Sequence, residues 1–250
     1  MLAAERRQSI LNKLHKNKSV KVNNLSKEFN VSKETIRRDL EKLQNKNFLK
    51  KIHGGAVPIN KKEELSFNIR KKQNIKEKKE IVNKALNYIN EGDTIFLDIS
   101  STAMFLAREL KKIKNITIIT NSAKIVTELA NNKEITVIST GGILIPNSIS
   151  FVGPHANSMV NNYFADKFFA SCKGISAKYG ATDSSDLEIE VKKNMVDRSS
   201  EVIILADYSK FKERGLSSFA ELDKINKIIS DNSLSDKVKK KKKKKGLKIE

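Results

Sequence analysis

Apolar residues recur at Ile36, Leu40 and Leu43, spaced i, i+4 and i+7, which places them on one stripe of a helix. At about 100° per residue, Arg38 points almost directly away from that stripe, with Arg37 on its flank and Glu34 and Glu41 on its shoulders. Ser32 is a good N-cap, because its hydroxyl takes one of the orphan amide donors of the first turn. Upstream, Ile10, Leu11 and Leu14 predict an inner helical face over roughly Ala3 to Lys16, broken by Asn17-Lys18-Ser19. Val20 and Val22 read as a short strand, and Asn23 as the cap of a second helix whose inner residues are Leu25 and Phe29. Asn30-Val31 makes a tight turn into the Ser32 helix, which completes a helix-turn-helix pattern. Downstream, Phe48-Leu49-Lys50-Lys51-Ile52-His53 mixes apolar and basic residues ahead of Gly54-Gly55, as expected of a small β-hairpin. A helix anchored on one side and carrying two arginines on the other suits the DNA major groove, but so patterned a stretch also fits an amphipathic helix with a solvated basic face.

The pattern changes after Pro58. As far as about Ile75 the chain is charged and irregular, too poor in apolar residues for a core. Ile81, Ala85, Leu86 and Ile89 then form a helical stripe expected to close at Glu91-Gly92. Beyond it, continuous apolar runs predict strands at Thr94–Leu97, Ile116–Ile119, Ile135–Ile138, Lys167–Ala170 and Val202–Leu205. Helices are expected near Thr102–Leu110, Lys124–Ala130, Ala156–Val160 and Glu190–Arg198. Unbroken apolar strands alternating with helices imply a mostly parallel sheet covered on both faces, with ligands beyond the carboxyl ends of the strands. Those ends are polar and small: Asp98-Ile99-Ser100-Ser101-Thr102, Thr120-Asn121-Ser122, Thr140-Gly141-Gly142, Ser171-Cys172-Lys173-Gly174 and Asp207-Tyr208-Ser209-Lys210. Hydroxyls and free amides at helix starts suit a phosphate or carboxylate, although each segment alone also reads as an N-cap or a turn.

Charge sharpens the division. The formal net charge is +20, and residues 81–234 hold 18 basic and 18 acidic side chains, so the excess sits at the two ends. A basic head on a neutral body suggests a polyanion-binding module joined to an ordinary domain. Lys239–Lys245 is a run of seven lysines; it suits either non-specific DNA phosphate contacts or a last helix capped by Gly246, with Leu247 and Ile249 in an edge strand. One cysteine, Cys172, excludes an internal disulfide framework and fits a reducing cytoplasm. Met1-Leu2-Ala3-Ala4-Glu5 runs straight into charge, and no apolar run approaches the ~20 residues of a membrane span. Three scattered histidines and one cysteine offer no metal-ligand spacing, and no cofactor is expected.

Thr35-Ile36-Arg37-Arg38-Asp39-Leu40 together with Lys51-Ile52-His53-Gly54-Gly55-Ala56 resembles the winged helix-turn-helix head of the DeoR family of bacterial transcriptional regulators. Val191-Lys192-Lys193-Asn194-Met195 resembles that family's Val-Lys-Arg-x-Met. The first strand-end loop departs from the family's Asp-x-Gly-Thr-Thr, with Ser100 at the glycine position and Ser101 at the next. The resemblance implies an α/β protein: a winged helix-turn-helix domain over residues 1–58, a linker over 59–75, and a Rossmann-like, mostly parallel sensor domain over 76–250, similar in fold to ribose-5-phosphate isomerase and glucosamine-6-phosphate deaminase. It places Arg37 and Arg38 in the DNA groove and implies that Ser32, Lys33, Thr35 and Lys42 also bind DNA. Lys50, Lys51 and His53 fall along phosphates or the minor groove, with a plain turn as the other reading of His53, and Gly54 is also expected to bind DNA. Asp98, Ser100, Ser101, Thr102, Asn121, Ser122, Gly141, Gly142, Lys173, Lys192 and Lys210 fall at the effector site. Lys192 is the preferred inward cation, against a solvated helix lysine; Lys173 either meets a ligand anion or caps its loop.

The expected function is a repressor of a sugar-metabolism operon, binding double-stranded operator DNA as a dimer or larger homo-oligomer and released by a phosphorylated sugar. The alternative is a sugar-phosphate isomerase or deaminase carrying a DNA-binding head, in which Asp98, Asp183 or Glu188 would supply a base.

Overall fold

The computed structural model describes residues 2–45, 48–57, 67–234, 239–240, 243, 246 and 248–250. It divides into two compact units, Met1–Arg70 and Lys71–Glu250.

In the first unit, α1 (Ala3–Asn17) ends at Lys18 in a left-handed conformation and leads to β1 (Val20–Lys21), α2 (Val22–Phe29) and α3 (Lys33–Asn45). Val22 opens α2 rather than closing a strand: its amide donates to the Gly54 carbonyl at 2.8 Å. Lys21 therefore occupies the cap position in an extended conformation, and Asn23 lies inside the first turn instead of capping it. Asn30 takes φ +50° at the end of α2, a conformation asparagine tolerates, and so turns the chain into α3. The wing is β2 (Lys50–Ile52) and β3 (Gly55–Val57), antiparallel, with β3 also pairing β1. That second pairing explains Gly55. A Cβ there would lie 2.1 Å from the Val20 carbonyl oxygen, so only glycine lets the two strands close. Ile10, Leu14, Leu25, Ile36, Leu40, Leu43, Leu49 and Ala56 form the core of the head.

After α4 (Phe67–Arg70), a single turn inside the stretch expected to be irregular, the second unit begins with α5 (Ile75–Ala85). Residues 59–66 of the proposed linker, and Pro58 before them, lie outside the described residues. α5 gives way at Leu86 to one 3-10 turn, and Ile89 is extended. Gly92 is thus no helix cap; at φ +87° it shapes the turn into the sheet, donating to the Asn115 carbonyl at 2.9 Å. There follow β4 (Thr94–Leu97), α6 (Ser101–Leu110), β5 (Ile116–Thr120), α7 (Ala123–Leu129) and β6 (Ile135–Ser139). A hairpin, β7 (Ile143–Ile145) and β8 (Ser150–Val152), leads to α8 (Pro154–Asn161) and β9 (Ala165–Ala170). Next come β10 (Gly174–Ser176), β11 (Gly180–Asp183), α9 (Asp186–Asp197), β12 (Ser199–Leu205), β13 (Ser217–Ala220) and β14 (Lys227–Ile229).

Six of these strands make one sheet, ordered β14-β12-β9-β4-β5-β6 and parallel throughout. Its central side chains are buried on both faces; Phe96 and Phe168, in register on neighbouring strands, meet edge-on with ring centres 6.4 Å apart. Residues 248–250 run beside β14, where the Ile228 amide donates to the Lys248 carbonyl at 2.8 Å and Ile249 is buried. This is the expected edge segment; Leu247 and most of the lysine run lie outside the described residues. β10, β11 and β13 form a separate antiparallel sheet that the apolar pattern did not predict. No helix among the described residues is long and apolar enough to cross a membrane.

Candidate nucleic-acid interface and ligand site

α3 starts at Ser32, whose hydroxyl accepts from the Thr35 amide at 3.1 Å and shares a hydrogen bond with the Thr35 hydroxyl at 2.9 Å. Ile36, Leu40 and Leu43 turn into the core, leaving Lys33, Arg37, Arg38 and Lys42 exposed. Both arginines reach Glu34, at 3.7 Å from Arg37 and 3.5 Å from Arg38. Ion pairs this exposed contribute little, so both guanidinium groups can leave Glu34 for a phosphate or a base edge at small cost. Asp39 behaves differently. It is 3% exposed and accepts from Arg6 Nε at 2.6 Å and from Arg7 Nη1 at 3.2 Å, which ties α1 to the back of α3. At the far end, Gln44 Oε1 accepts the Lys51 amide at 2.8 Å and locks the wing to α3.

Between α3 and the wing lies a cleft of about 410 Å³ bordered by Arg37, Lys51, His53 and Gly54. The fold thus brings together, on one exposed basic surface, side chains separated by some fifteen positions in the chain. Arg38 and Lys50 are exposed outside that lining, and His53 sits in the hairpin turn with Gly54 at φ +79°.

The second site lies at the carboxyl ends of the parallel strands. Asp98, directly after β4, is fully buried; one oxygen accepts the Ser100 amide and the other the Ser171 amide, each at 3.0 Å. Lys192, on α9, is 2% exposed and faces inward as expected. Its ammonium lies 2.8 Å from Asp98 Oδ2, 2.7 Å from Asp183 Oδ2 and 2.9 Å from the Ser171 carbonyl, and sits over the Phe219 ring at 4.8 Å. Burial alone would lower the Lys192 pKa, but Asp183 and Asp98 outweigh it and hold the group above its ordinary value. An ammonium has three donor hydrogens, and three oxygens take them. Lys192 therefore clasps the ends of β4, β9 and β11 together rather than presenting a free cation.

Ser100 caps α6, accepting the Ala103 amide at 3.0 Å, so its hydroxyl serves the helix that the missing glycine would have entered. Ser101 and Thr102 are buried in the first turn of that helix. Thr120 donates to the Leu97 carbonyl at 2.7 Å and accepts the Ser122 amide at 3.1 Å; Ser122 in turn caps α7 at 3.3 Å. Gly141 and Gly142 have φ +61° and +109°, and a Cβ on Gly142 would lie 2.6 Å from the Val152 carbonyl. The two outer lysines are paired: Lys173 with Glu213 at 2.9 Å, and Lys210 with Asp207 at 4.0 Å. Cys172 is buried, and burial pushes its thiol pKa up to about 12, which suits a packed side chain and not a nucleophile. Sequence reasoning missed Ser148 and Ser150, whose hydroxyls join at 2.8 Å and lead to Glu188 Oε1 at 2.9 Å. No local pattern distinguishes these serines from ordinary turn residues.

A profile of the DeoR-like helix-turn-helix domain matches residues 6–62, and one of the DeoR C-terminal sensor domain matches residues 73–232. The chain belongs to the DeoR family of transcriptional regulators. YulB, an HTH-type transcriptional regulator of Bacillus subtilis, is 44% identical over 94% of this chain and 91% of its own length. GolR of Listeria innocua, another HTH-type transcriptional regulator, is 36% identical over 94% of this chain and 93% of its own. The L-fucose operon activator of Escherichia coli is 37% identical over 92% and 96%. A solved ribose 5-phosphate isomerase from Methanocaldococcus jannaschii is 17% identical, covering 54% of this chain and 53% of that one at a TM-score of 0.40. Within this DeoR-family chain, the helix-turn-helix profile spans the exposed basic surface and the sensor profile spans the clasp around Lys192.

Proposed function

We propose that this DeoR-family regulator represses a sugar-metabolism operon in the cytoplasm and is released from its operator by a phosphorylated sugar held at the strand ends of the second unit. Arg37 and Arg38 read base edges in the major groove, with Ser32, Lys33, Thr35 and Lys42 around them. Lys50, Lys51, His53 and Gly54 follow phosphates, giving salt-dependent affinity. Two heads in a dimer or larger homo-oligomer supply the specificity one small reader lacks.

The observation that carries the reading is the clasp. Of the candidate bases Asp98, Asp183 and Glu188, the first two are spent on Lys192, and Asp98 also accepts two backbone amides. Two of the three candidate carboxylates committed to one ammonium favour a sensor over the isomerase or deaminase alternative. Relatives named as an L-fucose operon activator and as a transcriptional repressor support control of a carbohydrate operon, in either direction.

Operator-fragment binding followed by fluorescence anisotropy tests this. A responsive sugar phosphate should weaken operator affinity about 5–150-fold, the range that 1–3 kcal/mol of coupling gives, while the free sugar leaves it unchanged. The induction reading is wrong if no hexose or pentose phosphate alters operator affinity. Turnover of ribose or glucosamine phosphates by the full chain would instead restore the enzyme alternative.

A further inference from the structure

Among the described residues, buried side-chain oxygens without a hydrogen-bond partner include Ser230 Oγ, just after β14, and two in residues 1% exposed, Glu188 Oε2 and Asn121 Oδ1. The orientations of Glu188 and Asn121 are fixed by the partners they do have. Asn121 Nδ2 donates to the Phe151 carbonyl at 3.1 Å, so turning the amide over would set oxygen against oxygen. Glu188 Oε1 accepts from Ser150, whose single proton is thereby used, and the Ser148 hydroxyl must donate to Ser150. The two residues flank one short segment of backbone. Ser150 forms a bridge with Ser122, while the Phe151 amide donates to the Asn121 carbonyl at 2.7 Å. Glu188 also sits one helical turn before Lys192 on the inward face of α9, beside the clasp.

A buried carboxylate oxygen and a buried amide oxygen without donors are costly, and native structures keep few of them. Both are acceptors, and one is charged, so a phosphate is repelled here and a group bearing hydrogen-bond donors is attracted. We propose that Glu188 and Asn121 form the hydroxyl-reading subsite of the effector pocket, accepting hydrogen bonds from the polyhydroxylated part of the ligand while its phosphate lies elsewhere at the strand ends. An ammonium at one ligand carbon would meet the same two acceptors. This rests on the reading of the second unit as a sugar-phosphate sensor, and adds which part of the ligand is recognised and by what.

The test uses the full-length protein and calorimetric titration with hexose and pentose phosphates, their single-deoxy and amino analogues, and inorganic phosphate. Glu188→Gln keeps the acceptor for Ser150 and removes the charged orphan. It should weaken binding of the responsive sugar phosphate about tenfold or more, as loss of a charge-assisted hydrogen bond does. Inorganic phosphate binding should not change, and the unliganded variant should melt near the wild-type temperature, because the amide exchanges an unpaired buried charge for unpaired N–H donors. One deoxy analogue should bind wild type weakly and show no further loss in the variant; tighter binding of an amino analogue to wild type alone would identify the donor as an ammonium. Asn121→Leu, read in the same way, serves if Glu188→Gln does not fold. Equal weakening of sugar phosphate and inorganic phosphate, or unchanged sugar phosphate binding, overturns the subsite while leaving the sensor intact. If wild type binds none of the phosphates, the sensor reading fails and the subsite with it.

Discussion

Replacing Lys192 by methionine isolates what the buried ammonium does. The methionine stem fills most of the same volume, so the change removes charge and hydrogen bonds with little cavity. Left behind are Asp98 and Asp183, which no longer share a cation lying within 2.8 Å of both. Removing one partner of a buried ion pair costs about 3–5 kcal/mol, and with two carboxylates stranded the upper half of that range is expected at pH 7. Urea unfolding of the full chain reads the loss, with Cys172 accessibility reporting the second unit alone. Two internal checks follow from charge. The deficit should shrink as pH falls, because stranded like charges favour protonation of one carboxylate. Adding Asp183→Asn to the variant should recover part of it. In the wild type, the folded pKa of Lys192 lies above the ordinary 10.5, so its contribution is complete below that pH and fades only as the pH climbs through the raised value. The stability difference between wild type and variant should therefore not shrink between pH 7 and 9. A deficit under about 1 kcal/mol at pH 7, or no recovery on neutralising Asp183, refutes the clasp as a stabilising element.

Three further outcomes are expected. Arg38→Ala should cost about 1–3 kcal/mol of operator binding and relax preference at one base position; equal loss on operator and scrambled DNA would reduce the residue to a phosphate contact. Gly55→Ala forces a Cβ to 2.1 Å from the Val20 carbonyl, so the three-stranded wing sheet must open, with about 1–3 kcal/mol lost from the head and amide exchange faster in β1 and β3. Cys172, its thiol held protonated by burial with a pKa near 12, should resist alkylation at pH 8 in the folded protein and react fully in urea; stoichiometric labelling within minutes under native conditions would contradict its placement.

The head was legible because its information is local. Ile36, Leu40 and Leu43 announce a helix face by spacing alone, and the glycine pair announces the turn. Asp39 was not, since a charged residue inside a charged helix reads as solvated until Arg6 and Arg7 are seen to reach it from another helix. The parallel strands of the second unit were equally plain, each being a run of apolar residues. The β10-β11-β13 sheet escaped because Gly174–Ser176, Gly180–Asp183 and Ser217–Ala220 are short and rich in glycine, serine and threonine. Pairing between β11 and β13 also crosses more than thirty positions of chain. Val22 and Gly92 were misread for one shared reason: both positions are set by a backbone hydrogen bond to a distant strand or loop, which no neighbouring residue encodes.

The strand ends show where such reading stops in principle. Composition identifies a cluster of hydroxyls, amides and charges, but a polar atom can hold a ligand only if the fold has not already consumed it. Ser100 and Ser122 spend their acceptors on helix starts, Asp98 on two amides and an ammonium, and Lys192 on three oxygens. These groups build a rigid wall, and rigidity next to an unpaired acceptor is what makes the acceptor selective, because it cannot collapse onto a substitute donor. A sensor shifts between states only by the difference in ligand affinity that the two states offer. Glu188 and Asn121, each held through one atom by Ser150 or Phe151 and with one buried oxygen unpartnered among the described residues, are the groups whose free energy a bound hydroxyl would change most.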